Sequence, residues 1–178
     1  MLDIASQLLR GGDGIERFVA YELIACHPTA PALLTAARLR ALAGRLDSWG
    51  AVDSFACILA GPAWRDGHLS ANEVRRWARS SDRWWRRAAL VSTVPLNGRP
   101  GDAGDAKQTL AICEMLVRDR DDMVVKAMSW ALRALARRDR PAVETFLSHR
   151  SDLLASRVRR EVGTKLRTGR KNGRSIGA

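Results

Sequence analysis

Two stretches of this chain, SSDRWWRRAALV (residues 80–91) and DRDDMVVKAMSW (residues 119–130), match each other at a separation of about 39 residues. Asp82 falls over Asp121, Arg87 over Lys126 and Ala88 over Ala127. A third stretch, SWGAVDSFACIL (residues 48–59), fits one unit earlier at a slightly shorter separation, with Asp53 in register with Arg87. A period near 40 residues is that of antiparallel helix pairs, which cannot bury their apolar faces alone and must stack. The repeat therefore predicts an all-α helical-repeat solenoid, an ARM-like superhelix in which the second helix of each pair lines a concave face.

The punctuation between these stretches belongs to helices. Thr29 and Pro31 open one, and Ser70 begins the capping box S-A-N-E with Glu73 at the third helical position. Ser81 or Asp82 caps the next, ended by Pro95 and the loop NGRPGDAGD; Asp121 or Asp122 caps another, and Pro141 starts the one after. Helices are expected near 14–27, 31–45, 48–60, 70–79, 82–96, 104–118, 121–138, 141–148 and 151–167. Residues 1–167 form one domain on this reading, and 168–178 a disordered basic tail.

Charge bounds the partners. The net charge is +11 over 178 residues, most of it arginine, which points to an anionic partner, nucleic acid before an acidic membrane. No stretch approaches the roughly 18 apolar residues of a membrane span, and the opening MLDIASQLLRGGDG has neither the basic start nor the apolar run of a signal peptide. Cys26, Cys57 and Cys113 are far apart, in apolar helical surroundings, and read as buried free thiols of a reducing cytosol. With His27, His68 and His149 also isolated, no metal site and no cofactor are expected.

Three helices carry candidate chemistry. On a wheel at roughly 100° per residue, Trp84, Ala88 and Val91 fall on one line, with Leu90 and Val94 beside them. Arg86 falls with Thr93 on the far side, where a solvated arginine belongs; Arg87 falls between Val94 and Val91 on the apolar side. A buried guanidinium is costly without a partner. Arg87 thus needs a carboxylate from a neighbouring repeat or an anionic ligand such as phosphate. In the helix near 48–60, Val52, Phe55 and Leu59 make the core stripe, while Trp49 and Asp53, one turn apart, share another face with Ala56 and Ala60. Asp53 is either a lone carboxylate on a pocket wall or the partner of Arg87 or another arginine. In the helix near 121–138, Lys126, Arg133 and Arg137 form a basic stripe with Trp130 at its edge, suited to phosphate contact beside a stacked base or sugar, or simply to solvent with Trp130 in the core. The last segment, RSDLLASRVRREVGTKLRTGRKNGR, is either a backbone-binding helix and tail or a solubilising end.

These blocks resemble those of the bacterial AlkD-type DNA alkylation repair proteins, alkylpurine DNA glycosylases built from HEAT-like repeats. SWGAVDS is similar to the family's S-W-W-x-x-V-D-S block, with Ser48 in place of its first tryptophan. RWWRRAAL is similar to W-x-x-R-x-A, and VVKAMSWALRALAR to I-Q-K-A-I-G-W-x-L-R-E. The likeness runs from about Ile15 to Leu166, with the N-terminus shorter by about one repeat. It implies a cytoplasmic, nucleoid-associated monomer acting on duplex DNA that carries cationic alkylated purines such as 3-methyladenine or 7-methylguanine. It further implies Asp53, Trp49 and Trp130 as the catalytic set, Arg87, Lys126, Arg133 and Arg137 as DNA contacts, and a basic concave face. A DNA-binding relative without catalysis and a protein-interaction solenoid are the alternatives.

Overall fold

The computed structural model describes Ala5 and residues 7–9, 14–98 and 103–170, and every regular element among them is helical. The expected disorder of the tail from residue 171 on, and the stretch 99–102 of the long loop, lie outside the described residues. The elements are α1 (Gly14–Cys26), a 3₁₀ turn (Pro31–Leu33), α2 (Ala36–Ala43), α3 (Trp49–Ser54), a π-helical segment (Phe55–Ala60), α4 (Gly61–Arg65), α5 (Ala71–Ala78), α6 (Arg83–Val91), a 3₁₀ turn (Pro95–Asn97), α7 (Ala106–Met115), α8 (Asp122–Leu135), α9 (Arg140–Arg150) and α10 (Ser156–Thr168).

The caps explain most boundaries. Ser48, Ser70, Asp82, Asp105, Asp121 and Asp139 each accept a backbone N–H from the first turn of the helix that follows. Two expected helices are shorter, 82–96 stopping at Val91 and 151–167 starting at Ser156, and two others change more. The helix expected over 31–45 is split: Leu34 leaves helical geometry, and Thr35 caps a new helix by accepting from the Arg38 N–H. The helix expected to stop at Ala60 instead continues through Gly61–Pro62 to Arg65. A proline normally breaks a helix because its ring crowds the carbonyl four residues back. Here the preceding turn is widened, with the Gly61 N–H bonding to the Ala56 carbonyl five residues back, and the rod carries on.

Gly61 also sets how closely this rod packs. A Cβ there would lie 2.6 Å from Pro95 Cγ and 2.8 Å from the Ser92 carbonyl oxygen, so only glycine admits this approach to the end of α6. The packing follows a sequence of neighbours. α3 lies against α6, α6 against α8 and α8 against α10; α5 packs on α6, α7 on α8 and α9 on α10, and α5 also meets α7. The shared core contains Val52, Phe55, Leu59, Val74, Leu90, Val91, Ile112, Leu132, Leu135, Val158 and Val162. Tyr21, Phe55, Trp77 and Trp85 form an aromatic chain through the first half, with ring centroids 5.2–6.2 Å apart. Trp85 thus packs between helices, and Trp84, also half-buried against the core, has the Arg83 guanidinium 4.8 Å from its ring centre.

Candidate functional site

Arg87 is the residue around which the site is built. It is buried, at 5 % exposure, near the middle of α6. The stacking of α6 between α3 and α8 gives its guanidinium two sets of partners. Its Nε donates to Asp53 Oδ1 at 2.9 Å and its Nη2 to Asp53 Oδ2 at 2.8 Å, a bidentate fork. Its Nη1 donates to the Met123 carbonyl at 2.6 Å. All three nitrogens are therefore bonded within the protein, and the alternatives open for Arg87 and Asp53 meet in one geometry: each is the other's partner. The carboxylate keeps the more accessible position, its side chain 18 % exposed against 6 % for Arg87.

Above this pair lies a cleft of about 510 Å³. Trp49 stands on one side, 64 % exposed at the first position of α3, one turn before Asp53. Trp130 and Met123 from α8 stand on the other, with Lys126 and Arg133, and α10 closes it with Arg157 and Glu161. The structure thus brings Trp49, Arg87, Lys126, Trp130 and Arg133 to one cleft with Asp53 bonded to its floor. Arg137 is exposed in the turn just after α8, because the helix expected over 121–138 ends at Leu135, and it is not among the residues lining the cleft.

Three residues of this cleft, Met123, Arg157 and Glu161, were not singled out in the sequence. Glu161 accepts from the Ser129 hydroxyl at 2.7 Å and lies 3.9 Å from Arg157. Arg157 also lies 3.5 Å from Asp122, whose other oxygen is 2.6 Å from Lys126 Nζ. Arg157 and Glu161 sit in the basic C-terminal segment, where a helical phase taken from Val158 and Val162 would have placed them beside the buried face. Burial lowers the pKa of Arg133, and the nearby Glu161 opposes that shift. Arg133 Nε donates to the Ser129 carbonyl at 3.1 Å, which fixes its base and leaves its head toward the cleft.

Other expectations are corrected by the geometry. Arg86 does not stand in water: its Nε donates to Asp119 at 2.7 Å and its Nη1 to the carbonyls of Ser80 and Ser81, because the α5–α6 turn folds over it. Glu73 completes only half of the capping box, its N–H bonding to Ser70 while its carboxylate turns inward to Arg40, Arg76 and Trp77. Cys26 is exposed rather than buried, whereas Cys113 is buried as expected. Among the described residues no group of three or more histidines, cysteines or carboxylates is placed to hold a metal, and no helix is long and apolar enough to cross a membrane.

A carboxylate held by an arginine beneath two tryptophans and several cations suits a cationic centre attached to a polyanion. The family comparison agrees with that chemistry: the model of the DNA alkylation repair enzymes matches residues 1–166. The chain belongs to this family. Membership makes DNA the substrate and repair of alkylation damage the context, and the match includes every residue of the cleft. A comparison with curated proteins and one with solved structures gave no match.

Proposed function

We propose that the protein is a DNA glycosylase that excises cationic alkylated purines, 3-methyladenine and 7-methylguanine, from duplex DNA by hydrolysing the N-glycosidic bond. The observation that carries this reading is the Asp53 carboxylate, fixed by two bonds from Arg87, which itself lines a cleft together with Trp49 and Trp130. The order of neighbours α3, α6, α8 and α10, each with an outer partner helix, supports a HEAT-like solenoid with these four helices along the DNA-facing side.

Alkylation leaves a positive charge on the purine, so the base departs without a general acid. The glycosidic bond breaks with its electron pair moving to the ring nitrogen, which neutralises the base. Positive charge develops on the sugar. Asp53 stabilises that oxocarbenium charge, and the Arg87 fork spares it the cost of reorienting during reaction. The faces of Trp49 and Trp130 flank the sugar and favour the same charge. Water adds its hydroxyl to C1′ and releases a proton to solvent, leaving an abasic site. Lys126, Arg133 and Arg137 hold backbone phosphates beside the lesion, while Arg87, paired with Asp53, serves the strand through the carboxylate it positions. No cofactor takes part, and a monomer suffices because the whole catalytic set comes from one chain.

The test is base release from duplex DNA containing 7-methylguanine, comparing the wild type with Asp53→Asn. The amide keeps the shape and loses the charge, so release is expected to fall about 10²-fold or more while DNA affinity changes little. Equal rates in the two proteins would remove Asp53 from catalysis. No release by either, with salt-sensitive duplex binding intact, would make the protein a non-catalytic DNA binder. Absence of duplex binding would favour an acidic protein partner.

A further inference from the structure

A second basic pocket, of about 480 Å³, lies where α2, the end of α5 and the α5–α6 turn meet. Arg40, Arg76 and Arg79 line it beside Trp77 and Trp85. Beneath them Glu73 is buried, at 5 % exposure. Its Oε1 accepts from Arg40 Nε at 2.8 Å and from Trp77 Nε1 at 3.0 Å, and its Oε2 lies 2.8 Å from Arg76 Nη1. One buried carboxylate therefore fixes two guanidinium groups that line the pocket, Arg40 through both Nε and Nη2. Arg79 is exposed and has no salt bridge among the described residues. Three arginines stand against one carboxylate, which leaves an excess of two positive charges in a pocket walled by two indoles.

We propose that this pocket is a phosphate-binding subsite, separate from the Asp53 cleft. Guanidinium forks held in place by a buried acid are organised for phosphate oxygens before any ligand arrives. The wall residue Trp85 also borders a neighbouring hollow with Trp84, and Arg87 lies three residues beyond Trp84, beneath the Asp53 cleft. The second pocket thus shares Trp85 with a hollow at the start of α6, the helix that also carries Arg87 to the first cleft. A DNA strand whose lesion lies over Asp53 would set another of its phosphates here. That source of phosphate rests on the proposed function; the phosphate chemistry does not.

Arg79→Glu is the variant of choice, because Arg79 carries no part of the Glu73 network. Lys107→Glu, an exposed reversal on α7 outside the pocket, gives the effect of net charge alone. Duplex affinity is measured across a range of salt. Arg79→Glu is expected to weaken binding five- to twentyfold and to reduce the slope of log K against log salt by about 0.9, one phosphate contact, beyond any change in Lys107→Glu. In parallel, inorganic pyrophosphate is titrated into the labelled wild type, following the Trp77 indole N–H resonance. A saturable shift that Arg79→Glu abolishes supports the site. A pyrophosphate response with DNA binding unaffected by Arg79→Glu assigns the site to free phosphate compounds. The same response in a protein that releases no base and binds no duplex leaves the subsite standing while the glycosylase reading fails. No pyrophosphate shift, together with a DNA slope equal to that of Lys107→Glu, overturns the proposal.

Discussion

Arg86 and Arg87 are adjacent arginines with different environments. Arg86 is partly exposed and ties the α5–α6 turn to Asp119, while Arg87 is enclosed between α3 and α8. The cost of enclosing a guanidinium is offset only while its partners remain, so removing the arginine strands both the Asp53 carboxylate and the Met123 carbonyl. Arg87→Ala is expected to lower stability by about 3 kcal/mol, read from the shift in the urea midpoint at unchanged slope. Asp53→Asn/Arg87→Ala should cost less than the sum of the single changes, since the amide removes the stranded charge. Additive losses would show that the fork contributes little. The apolar position of Arg87 was legible in the sequence, because a wheel places it between Val91 and Val94. Its choice of partner was not, because Asp53 lies 34 residues away and meets it only through helix stacking.

The pairing of α8 with α10 sets how many cations are free to meet DNA. Asp122, at the first position of α8, lies between Lys126 and Arg157 and occupies both. A hydrogen bond from Lys126 lowers its pKa, chiefly, so it is ionised at neutral pH and competes with a phosphate for the same two cations. Asp122→Asn is expected to tighten duplex binding several-fold and to steepen its salt dependence by about 1 to 2. Fluorescence anisotropy at a series of salt concentrations checks this, and weaker or unchanged binding would mean that Lys126 and Arg157 do not contact DNA. Asp121 still caps the helix, so the fold should survive. Lys126, Arg133 and Trp130 could be assigned to one face of one helix by periodicity. Arg157 could not be ranked among its many basic neighbours, because nothing local states which turn of α10 faces α8.

The packing of the whole molecule separates three thiols that the sequence treats alike. Cys26 faces outward from α1, beside the exposed Phe18, Val19 and Leu23. Cys57, in the π-helical segment, is pushed up to about 12, first by burial and then by the negative charge of Asp53, with Arg87 opposing. Cys113 is pushed up to about 12 by burial and by Glu114. The native protein at pH 8 should therefore react with a maleimide quickly at one thiol, and at all three only when unfolded. The pH dependence has a definite sign. Between pH 9, where an unfolded thiol ionises, and about 12, the native state binds more protons than the unfolded one, so stability falls as pH rises. Each thiol contributes roughly 1 kcal/mol per pH unit of that decline. Urea titrations at pH 8 and 10.5 measure it, and Cys113→Ser should flatten it. A curve no shallower in that variant would show that Cys113 does not drive the decline.

The sequence by itself determined the all-helical class, most of the caps, the 39-residue correspondence and the membership of Trp49, Asp53, Arg87, Lys126 and Trp130 in a few amphipathic helices. These follow from local rules: side-chain oxygens that cap N–H groups, and a 3.6-residue period that sorts faces. Only the tertiary structure decided that Asp53 and Arg87 bond to each other, that Arg157 and Glu161 close the cleft, that Glu73 turns inward to gather two arginines, and that the rod of α3 runs on through Pro62. Each depends on the rotation and separation of neighbouring helices. Those are fixed by the fit of the packed core, including the bare Cα of Gly61 against Pro95, and not by any residue's own neighbours in the chain.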